Sequence, residues 1–266
     1  MRSEEQHQQP LAGIQKVGRV IAVASGKGGV GKTTVAINLA LALQARGSRV
    51  GLLDADVYGP SVPTMLDLQY QPAAGRRMLQ PAEKFGMRIM SIGFLIDEGQ
   101  AVIWRGPMVS RAIRDFLDRV EWGELDYLVV DLPPGTGDPS ITIAKSIPDA
   151  GVVIVTTPQK VALVDVKRAI GMFRKMHMQI LGIVENMAFF CCEHSREPIA
   201  IFGEGGGENL SRETDTPLLV RLPIDIALRI GGDKGVPLLL EQPESDTAGL
   251  FRQLAIKVVE RLNEAE

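Results

Sequence analysis

Along this chain short apolar runs alternate with longer segments whose apolar residues recur at helical spacing. Residues 20–24, 50–53, 87–94, 128–130, 152–157, 180–184 and 218–222 read as strands. Residues 35–43, 107–120 and 161–176 read as helices. In the second of these, Val109, Ile113, Phe116, Leu117 and Val120 share one face, and Arg111, Arg114, Asp115, Asp118 and Arg119 lie elsewhere. The strand runs are apolar throughout instead of alternating, which marks strands buried on both faces. Repeated strand–helix units of this kind imply a parallel sheet, so the expected fold class is α/β, with a mostly parallel central sheet and helices on both faces. Residues 1–16 are polar and aperiodic, and are expected to form a flexible N-terminal tail that meets the body only through Leu11 and Ile14. Residues 17–266 are expected to form one domain. Residues 69–84, with Pro72, Gly75 and Pro81, read as an excursion between elements, and 229–235 as a turn. The last segment places Leu250, Leu254, Val258, Val259 and Leu262 at helical spacing among balanced charges, a helix for packing against the domain instead of a membrane surface.

One stretch adds chemistry to this pattern. VIAVASGKGGVGKTT runs from an apolar strand through four glycines into a helix, and Gly26 to Thr33 fits G-x-x-x-x-G-K-[ST]. In such a loop Gly26, Gly28, Gly29 and Gly31, with Val30 and Thr34, let backbone N–H groups curl around phosphate oxygens at a helix N-terminus. Lys32 would meet the β- and γ-phosphates, and Thr33 would place its hydroxyl on Mg²⁺, a hard cation that favours oxygen ligands. The architecture is then that of a P-loop NTPase, a three-layer sandwich. The next strand delivers Asp54 and Asp56 within LLDADVYGPSVP, at the sheet edge where parallel sheets place ligand chemistry. There they can hold metal-bound waters or orient an attacking water. In LDYLVVDLPPGTGD a hydrophobic strand ends in Asp131, a second nucleotide signature, and Gly135 with Gly137 suits a switch loop.

Composition narrows the function classes. The chain has 266 residues, 45% of them hydrophobic, and a net charge of −3, so a core is affordable and a duplex-binding surface is not indicated. No nucleic-acid partner is expected. The start, MRSEEQHQQPLAGIQ, lacks an apolar signal core, and no run approaches the roughly 18 apolar residues of a membrane span, so no membrane partner and a cytoplasmic location are expected. Cys191 and Cys192 are the only cysteines, which is no disulfide framework. They lie with His194 in the interval 188–207, AFFCCEHSREPIAIFGEGGG, which breaks the strand–helix alternation. As soft ligands they suit zinc or iron, but strand-like neighbours face opposite ways, so four thiols would need a dimer. Packing of Phe189, Phe190 and the thiols as small apolar groups is the equal alternative. Glu185, Asn186 and Met187 close the preceding strand, where the Asn186 amide can pair with a base edge.

Taken with its neighbours, SGKGGVGKTT resembles the deviant phosphate loop of the MinD/ParA and nitrogenase-iron-protein class of dimerising ATPases. That resemblance implies ATP with Mg²⁺ and a homodimer in which Lys27 reaches the partner's phosphates, in the manner of an arginine finger. LLDADVYGPSVPTML, VVDLPPGTGD, ENMAFF, IFGEGGGE and LPIDIALR together look like the Mrp/ApbC family of iron–sulfur cluster carriers, from about residue 17 to the end. The resemblance implies that Lys32 and Thr33 bind phosphate and Mg²⁺, that Asp54 and Asp131 support the metal site, and that Asp56 orients the hydrolytic water. It places Asn186, Pro223 and Asp225 at the adenine end, and implies iron–sulfur apoproteins and assembly proteins as partners. The family's C-x-x-C pair, two thiols per subunit for a bridging [4Fe–4S] cluster, falls here on Cys192 and Ser195. The second ligand position is therefore a serine, and either Cys191 or His194 would have to substitute through a changed loop geometry. The alternatives are a MinD/ParA-like positioning or partner-regulating ATPase, and a cluster-free member of the family.

Overall fold

The computed structural model describes residues 11–73, 78–95, 106–192 and 197–264. A single helical turn at Ala12–Ile14 leads into β1 (Val17–Ser25), α1 (Lys32–Ala45), β2 (Val50–Asp54), α2 (Val62–Met65), β3 (Ala82–Lys84) and β4 (Met87–Ser91). Then follow α3 (Gly106–Arg119), β5 (Leu125–Asp131), α4 (Asp138–Ser146), β6 (Gly151–Thr156), α5 (Lys160–Lys175) and β7 (Gln179–Glu185). A short hairpin, β8 (Phe190–Cys191) and β9 (Pro198–Ile199), precedes α6 (Gly206–Thr214), β10 (Leu218–Arg221), α7 (Ile226–Lys234), α8 (Leu238–Glu241) and α9 (Asp246–Asn263).

Eight strands form one sheet in the order β10-β7-β6-β1-β5-β2-β4-β3, parallel except where β3 closes one edge against β4. The chain steps from β1 toward β2 and β4 and afterwards from β5 toward β6, β7 and β10, so right-handed crossovers put the connecting helices on opposite faces. The packing agrees, with α1 against α9 on one face and the pairs α3–α4 and α5–α6 on the other. The strand cores are apolar and buried, as the unbroken runs require: every residue of β2 and β6 is inaccessible. β1, between β5 and β6, is the point where the strand order reverses, and open parallel sheets bind ligands at the carboxyl end of that point.

α1 departs from an ordinary amphipathic helix. All nine residues 35–43 are buried, because α1 is covered by the sheet below and by α8 and α9 above. Arg46 and Gly47 end it as the sequence indicates, with the Gly47 N–H donating to Gln44 O at 2.8 Å.

Four sequence expectations are corrected. The run 87–94 is a strand only as far as Ser91, and its last apolar residues form a helical turn at Ile92–Leu95. The excursion 69–84 contains β3, an edge strand too short to show periodicity. The segment after Gly137, given no element from the sequence, forms α4, with Pro139 in its first turn, where its missing N–H costs nothing. Residues 229–235, read as a turn from their glycines, belong to α7. There Asp225 caps the N-terminus, accepting from Ala227 N–H at 2.7 Å, and the helix runs through Gly231 and Gly232 to Lys234. At the start of the described chain, Leu11 and Ile14 pack, half-buried, against the core. Residues 1–10 lie outside the described residues. Among the described residues no helix is long and apolar enough to cross a membrane.

Candidate functional site

Strand register assembles the site. Asp54 ends β2 directly opposite Asp131 at the end of β5, and Asp131 is in turn opposite Val23 of β1, two residues before the loop begins. Three elements distant in sequence thus deliver two carboxylates beside the glycine loop. Gly31 caps α1 with a positive φ of 81°, and a Cβ there would meet Asn186 Nδ2 at 2.2 Å, so both backbone conformation and space demand glycine. Val30 is buried and anchors the loop: its carbonyl accepts from Asn186 Nδ2 at 2.8 Å. Gly26 is half-buried, while Gly28 and Gly29 are exposed at the turn of the loop. Lys27 is also half-buried; its carbonyl accepts from Ser25 Oγ at 3.0 Å, and its ammonium has no hydrogen-bond or ion-pair partner among the described residues.

Charge is concentrated at the start of α1. Lys32 Nζ, 6% exposed, lies 2.6 Å from Asp131 Oδ1 and 3.4 Å from Asp56 Oδ2. Thr33 Oγ1 donates to Asp131 Oδ2 at 2.6 Å. Asp54 lies behind this pair, its Oδ2 accepting from Ser91 Oγ at 2.9 Å and Val62 N–H at 3.1 Å, and its Oδ1 from Asp56 N–H at 3.1 Å. Asp56 in turn accepts the Tyr58 N–H through Oδ1 at 3.2 Å, which leaves Oδ2 facing the lysine. Two carboxylates thus face one ammonium, with a third, Asp54, behind them. Burial, reinforced by the charge of Asp131, pushes the Asp54 carboxyl up to about 7. Burial also raises Asp131, with Lys32 and Thr33 opposing the rise.

Mg²⁺ fits this donor set. The hydroxyl of Thr33 and the carboxylates of Asp131 and Asp54 are hard oxygen donors, and the acidic excess would be relieved by a divalent cation. Among the described residues no group of three or more His, Cys, Asp or Glu could hold a metal by itself. That suits Mg²⁺, which takes most of its ligands from phosphate and water.

A pH dependence follows. Asp54 keeps its proton in the folded chain at a pH where the unfolded chain, with a carboxyl near 3.8, has released it. Its contribution is therefore most favourable below about 4 and is lost as pH rises toward about 7, at up to roughly 1.4 kcal/mol per pH unit. Urea titrations at pH 5, 6 and 7 should show the wild type losing stability relative to Asp54→Asn across that range. A difference that stays flat or grows in favour of the wild type would remove the assignment.

Beside the loop opens a cleft of about 800 Å³ whose walls include Gly31, Thr34, Asn186, Pro223 and Asp225. The three residues assigned to the adenine end therefore meet in one cleft with two residues of the phosphate loop. Asn186 is 5% exposed, and one of its two amide hydrogens is committed to Val30 O, which leaves its carbonyl oxygen and one N–H for a base. Asp225 is spent on the α7 cap and on Thr247 Oγ1 at 2.5 Å, and so shapes the wall instead of presenting a free carboxylate. Several site residues were not singled out from sequence. Ser91 holds Asp54, while Phe202 and Leu228 supply apolar lining. A serine at a strand's carboxyl end was the one available sign. The loop 132–137 lies against the phosphate loop, Gly135 N–H donating to Ser25 O at 2.8 Å.

Cys191, the last residue of β8, is exposed, and Cys192, just beyond the strand, is half-buried. His194 and Ser195 lie outside the described residues. Cys191 follows Phe190, whose backbone bridges Ile224, a residue that lines the cleft.

This combination of a parallel sheet, a glycine loop between β1 and α1 and paired acids at β2 and β5 defines a P-loop NTPase. A nucleotide-binding protein from Archaeoglobus fulgidus, solved in complex with ADP, is 41% identical, with a TM-score of 0.76 over 90% of this chain and 94% of that one. The cell division ATPase MinD of Pyrococcus furiosus, 24% identical, shares the fold with a TM-score of 0.68 over 91% and 99% of the two chains. Within that class the match is narrower. The profile of the ParA family of NUBPL iron-transfer P-loop NTPases matches residues 16–259, and the chain belongs to that family. An iron–sulfur cluster carrier protein of Synechocystis is 49% identical over 272 residues, spanning 99% of this chain and 77% of the relative.

Proposed function

We propose that the protein is an ATP-binding and ATP-hydrolysing homodimer of the cytoplasm that carries or assembles iron–sulfur clusters and delivers them to apoproteins. The reading rests on one juxtaposition above all: the two thiols extend from the backbone that also walls the nucleotide cleft. The name of the Synechocystis relative points to the same cargo. Phosphates are held by the loop N–H groups of 26–34 and by Lys32. Mg²⁺, bound through Thr33 and supported by Asp131 and Asp54, supplies charge neutralisation at the phosphoryl group. Asp56 orients the attacking water. Lys27, whose ammonium has no partner in its own chain among the described residues, acts across the dimer on the second subunit's nucleotide.

The cluster is cargo, and Cys191 and Cys192 from two subunits are its ligands. One chain offers two thiols with opposite exposure, so a four-thiolate site needs two chains. Anaerobic reconstitution is expected to yield a dimer with about four irons and a broad thiolate-to-iron absorption, both lost in Cys192→Ala. A protein that takes up no iron would instead be a cluster-free member of the family, the reading that Ser195 favours.

A further inference from the structure

The carboxyl end of β7 carries a charged group that the phosphate chemistry does not use. Glu185 is fully buried, and its carboxylate is shared between two other segments. Oε2 accepts from Arg221 Nε at 2.9 Å, at the end of β10, and Oε1 accepts the Gly207 N–H at 2.6 Å, in the first turn of α6. Gly207 permits this approach: a Cβ there would meet Glu185 Oε1 at 3.0 Å.

The backbone continues the connection. Leu222 N–H donates to Glu185 O at 2.8 Å, Ala188 N–H to Leu222 O at 2.9 Å, and Ile224 N–H to Phe189 O at 2.7 Å. Residues 185–190 and 222–224 thus form one ladder. It begins beside Asn186, which holds the phosphate loop, and ends at Phe190, next to Cys191. The Glu185 side chain pins three points: where the chain leaves for the cysteine excursion, where it returns at Gly207, and where the base-side wall starts at Arg221.

Resting on the reading that the cleft takes nucleotide, we propose that Glu185 is a positioning residue that couples nucleotide occupancy to the cysteines. Its ion pair with Arg221 and its hydrogen bond to Gly207 make the hairpin and the base-side wall one body, so that nucleotide held at Asn186 and Ile224 alters access to Cys191 and Cys192. A merely structural anchor would stabilise the fold without making the thiols respond to nucleotide. An apolar pair could hold the strands as firmly as a buried ion pair, whereas a carboxylate between two donors also fixes their relative geometry.

The test uses the full chain, an aromatic disulfide reagent to titrate the thiols, and calorimetry of Mg²⁺–ADP binding on the same samples. In the wild type, saturating Mg²⁺–ADP is expected to change the rate of thiol modification by about fivefold or more. In Glu185→Gln the ratio should fall to about one while ADP affinity stays within about threefold, and Arg221→Lys, which keeps the charge, should retain the response. The double variant Glu185→Gln/Arg221→Met leaves no charge buried alone, and keeps the test open if the single variant unfolds. A response that persists in Glu185→Gln or in the double variant, one that is lost in Arg221→Lys, or a wild type that binds ADP with no thiol response, overturns the coupling alone. Absence of ADP binding to the wild type overturns the nucleotide reading and the coupling together. Failure to take up iron overturns the carrier reading and leaves the coupling standing.

Discussion

Lys32→Ala is expected to abolish nucleotide binding and, separately, to weaken the fold. The ammonium would bridge two phosphates, and charge-assisted hydrogen bonds of about 1.5–3 kcal/mol each make the loss of affinity roughly 10²- to 10⁴-fold. The same substitution strips Asp131 of its counter-ion at 2.6 Å and Asp56 of its neighbour at 3.4 Å. Removing one partner of a buried pair costs about 3–5 kcal/mol, less if the remaining carboxyl takes a proton, as burial already urges on Asp131. Calorimetry with Mg²⁺–ADP and a urea titration read the two effects independently. A variant that binds within tenfold of the wild type would mean that the loop N–H groups suffice and that the lysine serves mainly the fold.

For Asp56 the expectation is the reverse: binding survives and turnover does not. Loss of a residue that orients water or takes up its proton slows hydrolysis by about 10²- to 10⁴-fold. Because Lys32 keeps Asp131, Asp56→Ala leaves no orphaned cation, and affinity for Mg²⁺–ATP should change little. Asp56→Asn refines the experiment, since its amide oxygen can still accept the Tyr58 N–H and preserve the local turn. Slow hydrolysis in both variants, with the ATP-bound dimer accumulating, supports the water-orienting role. Wild-type turnover in the asparagine variant would show that the carboxylate has only shaped the loop.

The phosphate loop was legible because each of its requirements is local: turns that favour glycine, a lysine within reach, a hydroxyl at the helix start. Asp54 and Asp131 were legible as strand ends at the ligand edge. What sequence did not contain was register, which places these two acids opposite each other, so that the charge of Asp131 adds to the burial that raises Asp54. The turn at 229–235 failed for an instructive reason. Its glycines were weighed, while the Asp225 cap and the apolar residues that follow it were not, and the cap decides where a helix begins. Asn186 was read as pairing with a base through donor and acceptor, while its bond to the loop's own carbonyl, 156 positions away, had no sign in the sequence. Glu185 was seen only as a strand terminus, because its partners lie 22 and 36 positions away.

The burial of α1 on every side has a mechanical consequence. A helix clamped between the sheet and two other helices has no free face on which to tilt, so its backbone opens only with the fold as a whole. The seat of the phosphates therefore works as a stator. Any stroke that accompanies gain or loss of a γ-phosphate must be taken up at the rim, by the loops that carry Asp56, Gly135 and the cysteines, while the helix beneath them stays still.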